Sequence, residues 1–187
     1  MTARAVILAI DPGAKSGHAT RAPSGLLSSG TVTTHEERLR VIVAAAAHAI
    51  LCGLPVVVVA ESWTRHGKWS HVTQAGISAG WGKWLAAIEV ADLGGMAKLG
   101  RAAAYRGVAR VSSDTWYRAL IGPRRITANR EERLRNAMRR AGCDDPDEAV
   151  ARLISTWASL APEVDAVLPV AFQRARSCTS SHAQRAD

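Results

Sequence analysis

Four acids in this chain stand where a negative charge needs a partner. Asp11 ends the apolar run at 6–10 and is followed at once by Pro12 and Gly13. Glu61 ends a second apolar run, at 56–60. Glu163 and Asp165 stand near the start of a segment predicted to be helical over 163–174. An ionised carboxylate at the end of a buried strand is costly unless something compensates it. An all-carboxylate set, with no cysteine and no obligatory histidine, is a hard oxygen site. It favours Mg²⁺ or Mn²⁺ over zinc. The chain around these acids is basic, with 24 Lys and Arg against 16 Asp and Glu and a net charge of +8. A polyanion is the matching partner. The chemistry that joins these features is two-metal phosphodiester hydrolysis. One ion activates the attacking water and the other stabilises the leaving 3′ oxygen. Three of the four also have a plainer reading: Asp11 as a turn cap, and Glu163 and Asp165 as charges favoured at a helix start.

The elements that would position these acids follow from local pattern. Residues 6–10 are continuously apolar, as in a buried strand. Pro12, Gly13 and Gly17 allow a tight reversal. Segments 18–21 and 26–33 read as two further strands, joined at Pro23-Ser24-Gly25. Thr34-His35-Glu36-Glu37 is a capping box. It opens a helix to about Cys52, with Leu39, Ile42, Val43 and Ile50 expected on its inner face. Gly53 and Pro55 stop that helix. Val56-Val57-Val58-Val59 is β-branched and apolar on both faces, as in a central parallel strand. A helix between two such strands implies a parallel crossover. Asp11 and Glu61 then share the carboxyl edge of the sheet, where open α/β folds bind their ligands.

Residues 62–71 form a polar loop containing Trp63, Arg65, His66, Lys68, Trp69 and His71. A glycine-bearing helix is predicted over 72–91, a short helix over 96–106 and a short strand over 108–111. Ser112 to Asp114 cap a helix carrying Trp116 and Tyr117. Another helix begins near Asn129. Asp145-Pro146-Asp147-Glu148 signals the start of a helix reaching about Leu160. Glycines in the 72–91 helix weaken it in isolation and fit close approach of another backbone. Trp81 and Trp84, three apart, fit core or interface packing. Residues 1–176 are expected to form one domain, with a polar tail at 177–187.

Composition narrows the class. The hydrophobic share of 48% supports a folded core. No apolar run reaches the roughly 20 residues needed to span a bilayer. The N-terminal residues lead directly into the first strand, so no signal peptide is expected. Cys52, Cys143 and Cys178 show neither metal spacing nor a disulfide framework, which fits a reducing, cytoplasmic setting. Between residues 101 and 140 there are eleven arginines and three acids. Arginine's planar fork suits phosphate oxygens.

The hairpin Ala9-Ile10-Asp11-Pro12-Gly13…Gly17, the strand end Val59-Ala60-Glu61 and the segment Glu163-Val164-Asp165-Ala166-Val167-Leu168 resemble the RuvC-type Holliday-junction resolvases of the ribonuclease H superfamily. The stretches Gln74-Ala75-Gly76…Gly80 and 111–122 resemble the same family, and the likeness covers about residues 5–175. It implies an α/β fold with a ribonuclease H-like mixed five-stranded sheet flanked by helices. It implies a homodimer that binds a four-way DNA junction and nicks it symmetrically with two Mg²⁺ or Mn²⁺ ions per site. Such a protein would work in the cytoplasm of a bacterium, or of the host if phage-encoded. The metal-binding acids carried over by position are Asp11, Glu61 and Asp165. The family spaces its last two acids three apart on one helical face. Here Pro162 stands three before Asp165, and Glu163, two before, is the available fourth ligand. The resemblance also places an aromatic at the junction centre after the second acid. Trp69 is the candidate there, and Trp63, nearer the strand, also fits the core. Lys15, Arg65, Lys68, His71, Arg118, Arg124 and Arg125 are candidate DNA contacts. A nuclease for branched DNA in general and a non-catalytic junction binder are the alternatives.

Overall fold

The computed structural model describes residues 5–62, 71–91, 108–122 and 129–160. The chain opens with an antiparallel meander: β1 (Val6–Asp11), β2 (Ser16–Ala22) and β3 (Gly25–Val32). Helix α1 (His35–Leu51) leads to β4 (Val56–Ser62), which pairs parallel with β1. Helix α2 (His71–Ala91) comes next, then β5 (Val108–Ser112), parallel to β4. Three helices complete the described chain: α3 (Ser113–Leu120), α4 (Arg130–Ala141) and α5 (Pro146–Leu160). The sheet order is β3-β2-β1-β4-β5. This is the ribonuclease H-like mixed five-stranded sheet expected from the sequence.

Strand alternation divides the core into two layers. Val6, Leu8 and Ile10 of β1, with Val56, Val58 and Ala60 of β4, pack against Ile42, Ala45, Ala46 and Ala49 of α1 and Trp81, Trp84 and Ile88 of α2. Ile7 and Ala9, with Val57, Val59 and Val111, face Trp116, Tyr117, Ala137, Val150, Leu153 and Ile154 of α3, α4 and α5. Both sheet faces are covered, so the central strands are apolar throughout rather than alternating. Each fully buried Val, Leu or Ile contributes about 1.5–3 kcal/mol relative to exposure. Trp81 and Trp84 belong to this core.

The caps form as the sequence predicts. Thr34 accepts from the Glu37 amide, and the Glu37 carboxylate accepts from the Thr34 amide. Asn129 caps α4 by accepting from the Glu132 amide (2.9 Å). Asp145 accepts from the amides of Asp147 (3.0 Å) and Glu148 (3.1 Å) at the start of α5. The inner face of α1 differs in part from expectation. Ile42 is buried and Leu39 packs against the core as expected, but Arg38, Ala45, Ala46 and Ala49 complete the inner face, and Val43 and Ile50 are exposed. Alanines let α1 lie close to the sheet, and the helix turns its larger side chains outward at those two positions. Among the described residues, no helix is long and apolar enough to cross a membrane. The predicted helices over 96–106 and 163–174 lie outside the described residues.

Candidate active site

The parallel pairing of β1 with β4 runs in register through Ile10 and Ala60. The next residue on each strand is an acid, so Asp11 and Glu61 emerge side by side at the carboxyl edge. Their carboxyl groups lie within hydrogen-bonding reach of each other. Burial pushes the Asp11 carboxyl well up, and the adjacent Glu61 and the more remote Asp147 push it further. Burial also raises Glu61. Opposing this, the Trp116 indole, Asp11, the Arg133 guanidinium and the Ser113 hydroxyl all favour the Glu61 anion. The Trp116 N–H leans toward Glu61 without making a hydrogen bond of normal geometry. Two carboxylates this close cannot both ionise freely, so the pair retains a proton more readily than either acid would alone.

The turn after Asp11 is held from three directions. Ser16 Oγ donates to the Gly13 carbonyl (2.8 Å) and accepts from the Gly13 amide (3.2 Å). The guanidinium of Arg38 is fully buried. Its Nη1 donates to the carbonyls of Thr33 and Thr34, both at 2.8 Å, and its Nη2 reaches Ser16 Oγ at 3.4 Å. Arg38 also lies over the Trp84 ring, 5.7 Å from its centroid, a cation–π contact in a desolvated setting. From the helix side, Gly80 of α2 presses directly on Gly13. A Cβ at Gly80 would sit 2.8 Å from the Gly13 nitrogen, closer than packing allows. Close backbone approach, the role expected of the α2 glycines, thus belongs to Gly80. Among the described residues, nothing stands within 4 Å of a Cβ at Gly76 or Gly82.

A second glycine admits another acid. A Cβ on Gly17 would overlap the Asp147 carbonyl and lie 2.9 Å from the Glu148 nitrogen. Gly17 pairs with Asp11 across the hairpin. The bare glycine therefore lets the N-terminus of α5 come down beside the first acid, and Asp147 acts electrostatically on Asp11. Burial and neighbouring Asp145 raise Asp147, while Lys15 and Arg130 oppose them. Arg130 lies in the first turn of α4, where the helix dipole disfavours a cation. Its compensation is the acid cluster, since it lowers both Asp11 and Asp147. Arg133, one turn on, lies over the Tyr117 ring at 5.5 Å and favours the Glu61 anion.

The donor set fits a hard divalent cation: two adjacent carboxylates with a third nearby, all oxygen. Asp11 and Glu61 are the residues that would hold it. Among the described residues, no three His, Cys, Asp or Glu side chains are grouped tightly enough to hold one ion. Asp147 is therefore a neighbour of the pair in this conformation, not a formed ligand.

The other expected residues divide plainly. Lys15 is exposed on the hairpin and ion-paired with Asp145, which ties the turn to the start of α5. Arg118 is exposed in the last turn of α3. Glu163, Asp165, Trp63, Arg65, His66, Lys68, Trp69, Arg124 and Arg125 lie outside the described residues, as does the side chain of His71, the first residue of α2. The sequence reading missed Asp147, Arg130, Arg133, Trp116 and Ser113 as site residues. A signal for Asp147 was present. Asp144 and Asp147 are three apart, as are Asp145 and Glu148, the spacing expected of the last two acids. The same residues also satisfy a helix-start signature, which explains them locally. No known family model matches the chain, and no curated protein matches it.

Proposed function

We propose that this protein is a divalent-metal-dependent, structure-selective endonuclease, of the RuvC type, that resolves four-way DNA junctions by paired symmetric nicks. The observation that carries this reading is the Asp11–Glu61 carboxylate pair at the ends of adjacent parallel strands, in a ribonuclease H-like sheet. The basic chain and the resemblance of its motifs support it. Two bound Mg²⁺ or Mn²⁺ ions would supply the activated water and stabilise the leaving oxygen. The protein's own part is to hold Asp11 rigidly through the Ser16–Arg38 clamp and the Gly80 contact. Arg133, Ser113 and Trp116 partly offset the burial that pushes the Glu61 carboxyl up. Arg130 offers a cation at the rim for a backbone phosphate. Phosphate contacts of this kind give affinity and register, not sequence preference. Asp147 and the sequence-assigned Asp165 and Glu163 compete for the remaining ligand positions. A homodimer completes the proposal, because two symmetric nicks need two sites. Leu85 and Val90 on α2 are each nearly half exposed, which supports pairing through that helix.

The test is a labelled synthetic four-way junction incubated with and without Mg²⁺. Paired nicks at symmetric positions, lost in Asp11→Asn while junction binding persists, support the resolvase. Equal cutting of flaps and forks makes it a nuclease for branched DNA generally. A junction binder without catalysis is the second reading, because Pro162 stands three before Asp165 where the family has an acid. Binding with no cleavage in either Mg²⁺ or Mn²⁺ would establish that reading and remove the first.

A further inference from the structure

A second charged feature lies on the α5 side of the sheet, away from the acid pair. Arg21, Leu26, Leu120, Arg140, Ala141, Arg152, Leu153 and Thr156 enclose a cavity of about 230 Å³. Arg21 is four residues along β2 from Gly17, the partner of Asp11, so the cavity is roughly 13 Å from the acids at strand spacing. Three arginines line it, and they are not equivalent. Arg152 is saturated: it pairs with Glu148 at 2.6 Å, donates to Ser29 Oγ at 2.8 Å and reaches the Ala141 carbonyl at 3.3 Å. Arg21 has no acid partner among the described residues. Its Nε and Nη2 donate to Ser155 Oγ (3.2 Å) and Thr156 Oγ1 (2.9 Å). Both hydroxyls spend their own protons on the Arg152 carbonyl (2.7 and 3.0 Å). They therefore present lone pairs to Arg21 and fix its plane, but they bring no charge. Its Nη1 makes no hydrogen bond among the described residues. Arg140, in the last turn of α4, is exposed and also lacks an ion pair among them.

We propose that this cavity is a binding site for a phosphate group carried on a small, partly apolar residue such as a pentose. Two uncompensated guanidinium charges match the dianion of a phosphomonoester better than a single carboxylate. A guanidinium fork held by neutral acceptors is pre-organised for tetrahedral oxygens. Leu26, Leu120 and Leu153 form an apolar wall for the carrier. The volume is below that of pockets for drug-sized ligands, so it suits a sugar phosphate or one nucleotide's phosphate end. Burial depresses the Arg21 pKa, as it must for a cation without a counter-charge. The site does not depend on the nuclease reading. The same phosphate could arrive free or as part of a nucleic-acid strand.

The experiment is calorimetric titration of the full chain at constant ionic strength, adjusted with chloride, using inorganic phosphate and then deoxyribose 5-phosphate. Saturable binding is expected for both, tighter for the sugar phosphate. Arg21→Gln and Arg140→Gln should each weaken it about tenfold, the scale of one charge-assisted contact. Arg140 is exposed, so its variant keeps the fold if Arg21→Gln does not. An oligonucleotide that displaces the sugar phosphate, and binds Arg140→Gln more weakly, assigns the phosphate to a nucleic-acid strand. An oligonucleotide that leaves it bound assigns it to a small molecule. No saturable binding, or unchanged affinity in Arg140→Gln, overturns the proposal.

Discussion

Asp11→Asn should weaken the proposed chemistry and strengthen the fold. Asp11 and Glu61 are mutually close, partly buried and both shifted toward the protonated form. Two unit charges about 4 Å apart repel by about 4 kcal/mol at an effective dielectric constant near 20. A shared proton and the favourable fields of Arg130, Arg133, Ser113 and the Trp116 indole offset part of that. Removing one charge while keeping the shape should therefore stabilise the metal-free protein by about 1–2 kcal/mol, because the amide can still donate to Glu61. For a chain of this length, that is a rise in Tm of about 2–8 °C. Mg²⁺ at ten times its Kd would return about 1.4 kcal/mol to the wild-type protein. It would return much less to the variant, which lacks one ligand charge. The assay is thermal unfolding by circular dichroism in EDTA and in Mg²⁺, run beside junction cleavage. A variant no more stable than wild type in EDTA would show that the pair is not a site of stored repulsion. Equal stabilisation of both proteins by Mg²⁺ would show that Asp11 is not a ligand.

Other expectations follow from single contacts. Gly80→Ala should cost at least about 2 kcal/mol in urea unfolding, because its Cβ would meet the Gly13 backbone; Gly82→Ala, with no described residue within 4 Å of its Cβ, should gain about 0.5–1 kcal/mol from helix propensity. Thr34→Ala removes the side-chain half of the α1 capping box and should cost about 0.5–2 kcal/mol by the same measurement. Burial lowers His18 from its ordinary 6.5, so the unfolded chain binds the extra proton first. The His18 contribution to stability is thus intact above about pH 6.5 and is lost as pH falls toward the depressed native value. His18→Gln should remove that part of the acid slope in a pH series of urea midpoints.

The sheet was legible because its signals are local. The run at 56–59 could be little other than a buried strand, and each strand-end acid is the next residue along. The position of α1 against the sheet was less legible. Size-weighted periodicity finds Leu39 and Ile42 on its inner face, but the alanines offer no contrast with Val43 and Ile50, which point outward. Asp147 was hidden for a different reason. A carboxylate at a helix start satisfies a local rule completely, and nothing along the chain says which β-strand that helix will touch. The missing information lies in Gly17, some 130 residues earlier, whose absent side chain decides how deeply α5 can seat. Gly80 acts in the same way for Gly13. In both places the two backbones that meet, Gly17 with Asp147 and Gly80 with Gly13, are far apart in sequence. The charged residues alone mark the candidate acids without the contacts that bring them together. The candidate site is thus set as much by two missing Cβ atoms as by its carboxylates. Gly17→Ala should accordingly act on Asp11 through α5, even though it removes no charge and no hydrogen bond.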